Sequence, residues 1–223
     1  MLAAGLSLSS SAMGELGESV AARVIARTGV QRVPTAKAEV FQARRFIPAP
    51  LCEALIALIE ADRRPSTIAD DIGDPAFRTS ETCDLPDTHP AVRELEQRFA
   101  DLSGLDPAYG EPIQGQRYAV GQEFKAHTDY FDPLGADYQR FCALSGQRTW
   151  TFMIYLNDVA AGGATRFRHL SKMFQPEMGK LLFWNNRLED GAVNPATLHH
   201  GMKVRRGVKY VITKWYREDL WRG

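Results

Sequence analysis

Cysteine is scarce in this chain and forms no recognisable pairing. Cys52, Cys83 and Cys142 are odd in number, widely spaced and in no CxxC pair. That pattern suggests neither a disulfide framework nor a thiolate zinc site, and a cytoplasmic, reducing setting is expected. An excess of one charge is lacking too. With 27 Lys+Arg against 27 Asp+Glu, no basic surplus exists to draw nucleic acid or an anionic membrane, both of which depend on a cationic face. No apolar run approaches the roughly 20 residues needed to cross a bilayer. The opening stretch, MLAAGLSLSSSAMGELGES, has neither the basic start nor the sustained apolar core of a secretion signal. Internal repeats and low-complexity tracts are likewise missing.

What is present is an ordinary globular composition, 44% hydrophobic and 24% charged over 223 residues, which fits one domain spanning 1–223. Residues 1–33 are rich in Ala, Ser and Gly, and helical apolar spacing over 15–27 predicts a docked N-terminal helix. A strand-like run covers 38–47. After Pro48 and Pro50, Leu51, Leu55, Leu58 and Ile59 form the stripe of a helix laid on a core. The polar, Pro- and Asp-rich stretch 63–90 reads as a long loop, mobile or folded over a substrate. A second amphipathic helix is expected over 90–105, with Val92, Leu95, Phe99 and Leu102 on one side. Beyond residue 110 the segments IQGQRYAV, EFKAHTDYF, RTWTFMIYLND, TRFRHL, GKLLFWN and VKYVITKWYRE are short, β-branched or aromatic, and separated by turn residues. Helices followed by at least six strands predict an α+β chain: helical support and a substrate loop over 34–109, then a sandwich or barrel over 110–218.

The chemistry-bearing pair is His127-Thr-Asp129. Two residues apart on a strand-like segment, both side chains project from one sheet face and can share a metal ion. The pair alone is weak evidence, since five His and 14 Asp in 223 residues give about 0.3 such matches by composition. Either His199 or His200, just ahead of the last strand, could complete a two-His, one-carboxylate set, which leaves open positions on Fe(II) for a co-substrate and O2. In that last strand Lys209, Val211, Thr213 and Trp215 share a face by period two. If the face is interior, Lys209 is a buried ammonium in need of an anion, such as the dicarboxylate 2-oxoglutarate. The opposite choice, with Val208, Tyr210 and Ile212 as the core face, fits the pattern equally well.

Several motifs, in order, carry a resemblance: RTS (78–80), GEPIQGQRYAVGQEFKAHTDYF (110–131), GQRTWTFMIYLNDVAAGGATRF (146–167), GKLLFWNN (179–186) and DGAVNPATLHHGMKVRRGVKYVITKWY (190–216). Across about 75–218 the chain resembles the catalytic domain of the prolyl 4-hydroxylase family of Fe(II)- and 2-oxoglutarate-dependent dioxygenases. The resemblance implies a double-stranded β-helix (jelly-roll) core with N-terminal helices packed against it. In that family the distal iron ligand stands ten residues before the basic residue that binds 2-oxoglutarate, which selects His199 over His200. His127, Asp129 and His199 are then the implied iron ligands and Lys209 the partner of the far 2-oxoglutarate carboxylate. Tyr118 and Thr165 match positions contacting that co-substrate, and Tyr155 is a further candidate because a phenol can donate to a carboxylate. Arg78, Arg148 and Trp215 match positions lying against the peptide or prolyl ring in members that act on proline.

Two departures bear on specificity. Phe124 stands where many members carry Tyr, and His200-Gly201-Met202-Lys203-Val204 replaces the usual Ala-Gly-Cys-Pro-Val. The resemblance implies hydroxylation of a prolyl residue in a peptide or protein, with O2 as co-substrate and ascorbate as reductant. The same chemistry on a free amino acid, a small metabolite or a non-prolyl side chain is the principal alternative. A nucleic-acid demethylase is disfavoured by the neutral charge and by the lack of paired arginines in the last strand. A non-catalytic binding module is disfavoured by the intact ligand set. The sequence does not set the oligomeric state. His200 is expected beside the metal or exposed at a loop end, and His89 and His169 at the surface.

Overall fold

The computed structural model describes residues 20–67, 74–135 and 138–223. Fourteen strands appear among them. An eight-stranded sheet has the order β1-β2-β11-β7-β14-β5-β4-β3, comprising β1 (Val30–Arg32), β2 (Val40–Ala43), β3 (Arg64–Pro65), β4 (Glu81–Asp84), β5 (Gln114–Tyr118), β7 (Arg148–Tyr155), β11 (Leu181–Asn185) and β14 (Lys209–Arg217). A four-stranded sheet has the order β10-β9-β12-β6, from β6 (Phe124–His127), β9 (Thr165–Phe167), β10 (Lys172–Phe174) and β12 (His199–Gly201). A short ribbon joins β8 (Ala161–Gly162) to β13 (Val204–Arg206). The three main helices are α1 (Ala49–Ala61), α2 (Pro90–Ser103) and the short α3 (Tyr138–Cys142). All named strand pairs are antiparallel. The architecture is the jelly-roll core the resemblance implies.

Strand periodicity builds two cores on the two faces of the large sheet. Phe152 and Ile154 of β7, Leu181 and Phe183 of β11, and Ile212 and Tyr216 of β14 pack against Leu51, Leu55 and Ile59 of α1 and Val92, Leu95 and Phe99 of α2. The intervening residues, Met153, Tyr155, Leu182, Trp184 and Val211, turn the other way, toward Phe167 and Phe174 of the four-stranded sheet. The helix layer lies close: a Cβ on Gly115 would meet Ile59 Cγ1 at 2.4 Å. Helix α2 begins at Pro90, where His89 Nδ1 accepts the Ala91 N–H at 3.2 Å, and stops at Gly104 in the left-handed region, φ +75°. His89 is thus a helix cap.

Three expectations are corrected by the strand pairing. The run over 38–47 yields only the four residues of β2. The 63–90 loop contains β3 and β4, and Glu81–Asp84 pairs with β5, Glu81 opposite Arg117. Such short, polar strands near the sheet edge owe their form to a neighbour rather than to propensity. The expected mobility of this loop falls partly on 68–73, outside the described residues, as does most of the N-terminal helix, of which 20–25 are described and helical, with Val20 and Val24 in the helix-side core. Thirdly, His200 sits within a strand, β12, rather than at a loop end. Among the described residues no helix is long and apolar enough to cross a membrane.

One ion pair joins the helix layer to the sheet. Lys214, on the helix-facing side of β14, donates to Glu96 Oε1 of α2 at 2.5 Å, and its side chain is 3% exposed. Burial raises the Glu96 pKa, and its Oε2 has no protein partner. Lys214→Met should cost about 3 kcal/mol in urea unfolding by stranding that carboxylate, and adding Glu96→Leu should recover most of the loss. A single variant within about 0.5 kcal/mol of the parent would show the pair to be energetically idle.

Candidate metal and co-substrate site

The inner face of the large sheet and the four-stranded sheet enclose a cleft. Three side chains converge in it: ligand atoms of His127, Asp129 and His199 lie within 4.8 Å of one another. Pairing of β12 with β6 sets His199 opposite His127, with ring centroids 4.3 Å apart. Asp129 was expected on the same strand as His127 but lies past its end, two residues beyond β6. It is held there by other means. Thr151 Oγ1 donates to Asp129 Oδ2 at 2.8 Å, and Arg148 Nη1 donates to the Asp129 carbonyl at 3.2 Å. The carboxylate is 3.8 Å from His127 Nε2 and 3.9 Å from His199 Nε2.

Each imidazole is oriented from behind. Nδ1 of His127 is 2.8 Å from the Lys125 carbonyl, and Nδ1 of His199 is 2.9 Å from the Thr197 carbonyl. A carbonyl only accepts, so both Nδ1 atoms carry the proton and both Nε2 lone pairs face the cleft. Burial and the nearby His199 hold the His127 pKa well below its ordinary value, leaving a neutral ring. Two imidazoles and a carboxylate around one point suit a divalent first-row metal with open positions.

Lys209 extends into the same cleft from β14. It is 2% exposed and, among the described residues, no carboxylate pairs with it; burial alone pushes its pKa down to about 7. Its ammonium stands over the ring faces of Tyr118 at 4.8 Å and Tyr155 at 5.5 Å. An interior cation without a counter-ion is costly, and an anionic ligand removes that cost. The choice left open by the pattern of the last strand is therefore settled: Lys209, Val211, Thr213 and Trp215 line the cleft.

Tyr118 and Thr165 also line it. Tyr118 donates to Gln116 Oε1 at 2.9 Å. Tyr155 stands behind, fully buried, with its hydroxyl 2.7 Å from Thr165 Oγ1 and 3.2 Å from the Phe174 carbonyl. Phe124 lies flat on His127, ring centroids 3.5 Å apart and planes 13° apart. Arg78 caps Phe124 at 4.8 Å and donates to Thr67 O, Ser80 Oγ, Thr82 Oγ1 and Gln114 Oε1. Arg148 is bound bidentately by Glu111, at 2.6 and 2.7 Å, and stacks on Trp215 at 4.0 Å. His200 turns away from the cleft to Glu123, 2.9 Å off.

Gln116, Met153 and Trp184 line the cleft as well and were not singled out in the sequence. Period two from Tyr118 would have found Gln116, and from Tyr155 would have found Met153. Trp184 carries no such signal in a strand buried on both faces.

Residues 113–217 match the model of the 2OG-Fe(II) oxygenase superfamily. The human prolyl 4-hydroxylase subunit alpha-3 is 37% identical over 145 residues, covering 64% of this chain and 26% of that protein. The chain thus spans about a quarter of the length of the curated relatives it matches. In structure it is similar to the viral collagen prolyl hydroxylase from Paramecium bursaria Chlorella virus-1, solved as a 2OG complex, with a TM-score of 0.63, 25% identity, and 80% of this chain and 95% of that one covered. A Pseudomonas putida prolyl-4-hydroxylase shares the fold at TM-score 0.58 and 19% identity, covering 92% of this chain and 100% of that one. The motif order, the convergent His-Asp-His set and these likenesses agree: residues 113–217 of this chain are similar to the 2OG-Fe(II) oxygenase superfamily.

Proposed function

We propose that the protein hydroxylates a prolyl residue in a peptide or protein, using Fe(II), 2-oxoglutarate and O2, with ascorbate as reductant. The observation that carries this reading is the coexistence, in one cleft, of the His127, Asp129 and His199 donor set with the unpaired ammonium of Lys209. The chemistry supplied by Fe(II) when bound is activation of O2, coupled to conversion of 2-oxoglutarate to succinate and CO2 and to hydroxylation of a C–H bond. The protein supplies orientation, charge and dryness. His127 Nε2, the Asp129 carboxylate and His199 Nε2 hold the metal, and their hydrogen bonds from behind keep them aimed.

Lys209 pairs with the far carboxylate of 2-oxoglutarate, and Tyr118 and Thr165 flank it. Tyr155 acts on the co-substrate through Thr165. Trp215 and Phe124 form apolar walls for the substrate side chain, the first fixed by Arg148 and the second by Arg78. The prolyl relatives support a peptide substrate, and the alternative of a free amino acid or non-prolyl side chain is separated by product analysis. We read 1–223 as one domain in which 110–218 is the catalytic core. Three free, buried cysteines suit a cytoplasmic protein.

Incubation with Fe(II), 2-oxoglutarate, O2 and proline-containing peptides should yield succinate and a peptide heavier by one oxygen atom in mass spectrometry. His127→Ala and Asp129→Ala should abolish both, as should metal removal by a chelator. A protein that binds Fe(II) and 2-oxoglutarate yet forms no succinate, with or without peptide, would refute the reading.

Lys209 generates a pH dependence. Its folded pKa of about 7 lies below the ordinary lysine value, so the unfolded chain binds more protons between that pH and about 10.4, and the stability of the ligand-free protein rises with pH across this window. Binding of 2-oxoglutarate requires the ammonium form. Above pH 7 it must therefore take up a proton, and the dissociation constant should climb by up to about tenfold per pH unit. Anaerobic calorimetry in buffers of different ionisation enthalpy checks this: about one proton taken up at pH 8 and almost none at pH 6 is expected, and equal uptake at both would discount the assignment. Lys209→Met should raise the melting temperature of the ligand-free protein at pH 6 while removing its stabilisation by 2-oxoglutarate. A variant that melts lower, or is still stabilised, would contradict the proposed role.

A further inference from the structure

Behind Asp129 runs a chain of hydrogen bonds that no described ligand position accounts for. Trp184 Nε1 donates to Asn186 Oδ1 at 3.1 Å, Asn186 Nδ2 donates to Thr151 Oγ1 at 2.9 Å, and Thr151 Oγ1 donates to Asp129 Oδ2 at 2.8 Å. Asn186 and Thr151 are wholly buried and Trp184 is 1% exposed. Chemistry fixes the direction of the chain. An indole N–H can only donate, so the amide must turn its oxygen to Trp184 and its NH2 to Thr151. The Thr151 oxygen is then occupied as an acceptor by that NH2, and its proton goes to Asp129. The backbone makes the anchor rigid. Asn186 N–H donates to the Thr149 carbonyl at 2.7 Å, and its own carbonyl accepts from Asn194 at 2.8 Å, in the segment that leads to His199.

We propose that Asn186 is a positioning residue for the metal-binding carboxylate, acting through Thr151. This rests on His127, Asp129 and His199 being the metal ligands. The one-way chain gives Asp129 Oδ2 a fixed donor and so sets the rotation of the carboxylate toward the two imidazoles. It also joins the carboxylate to the segment that carries the third ligand, so Asp129 and His199 are set by one anchor. Asn186→Asp is nearly isosteric and reverses the chain: a carboxylate at this position cannot donate, the Thr151 proton turns to it, and Asp129 loses its donor. Thr151→Val removes the hydroxyl at constant shape, and Thr151→Ser restores it.

The test is anaerobic titration of the full chain with Co(II), read by calorimetry and by the visible absorption of the bound ion, with circular dichroism and melting as folding controls. Asn186→Asp and Thr151→Val should weaken Co(II) binding by about 10- to 100-fold and alter the band shape, while Thr151→Ser stays within about threefold of the parent. Should Asn186→Asp fail to fold, the Val and Ser variants at position 151 decide the matter. If both disruptive variants bind with parental affinity and spectrum while His127→Ala does not bind, the positioning role is overturned and the metal site stands. If the parent and His127→Ala bind Co(II) alike, the metal site itself falls, and the positioning role with it.

Discussion

The site depends on the pairing of two short strands. With His199 opposite His127, β12 and β6 bring both imidazoles to one point. A slip of one residue would turn His199 outward and His200 inward, because side chains alternate faces at every step. The pairing is also irregular. From His199 to Gly201 is two steps, whereas the partners His127 and Phe124 are three apart. The extra residue is a bulge in β6, and it puts Phe124 on the same side as His127, where a regular strand would send residues three apart to opposite faces. The stacked rings of Phe124 and His127 are the direct result. The His127 ring, whose pKa is lowered by burial and by the nearby His199, is covered on one face by this stack.

The last strand shows how one element serves two faces. Lys209 and Lys214 are both buried in β14, five residues apart and therefore on opposite sides. Lys214 meets Glu96 of the helix layer. Lys209 meets no carboxylate among the described residues. Neighbouring strands and helices could have supplied one, as they do for Lys214 and for Arg148 with Glu111, yet the inner face leaves this cation open. The zero net charge of the chain therefore conceals a local arrangement, in which one carboxylate and one ammonium stand in the same cleft.

How much of this was legible in the sequence depends on what makes each element form. Long strands dense in β-branched and aromatic residues, such as β7 and β14, and helices with a clean apolar stripe, such as α2, are dictated locally and were read correctly. The short strands β4, β8, β10 and β13 have two to four residues and exist only through their partners, so no local pattern announces them. The side of β14 facing the cleft was unreadable because both faces are buried: Val211 is 1% exposed and Ile212 fully buried. Asp129 shows the same division. Its proximity to His127 was visible in the His-x-Asp spacing, but its support by Thr151, 22 residues on, and Asn186, a further 35, is a property of the folded sheet.

The two departures from the family pattern have unequal consequences once placed in the fold. His200 and Lys203 lie on the outer side of β12 and its following turn, both paired with Glu123, at 2.9 and 3.4 Å. They complete a surface ion cluster that braces β6 against β12 and do not face the cleft. Phe124 does face it, between His127 on one side and the Arg78 guanidinium on the other. The residues on either side of Arg78 also pair with β6 and the residue before it, Thr79 N–H to the Glu123 carbonyl at 3.0 Å and Lys125 N–H to the Phe77 carbonyl at 2.9 Å. Arg78 is thereby fixed relative to His127 through two backbone hydrogen bonds. A tyrosine at 124 would bring a hydroxyl to this wall, and the phenyl ring leaves it apolar. Of the two departures, then, only the loss of that hydroxyl changes the lining of the cleft, at the wall formed by Phe124 beneath Arg78.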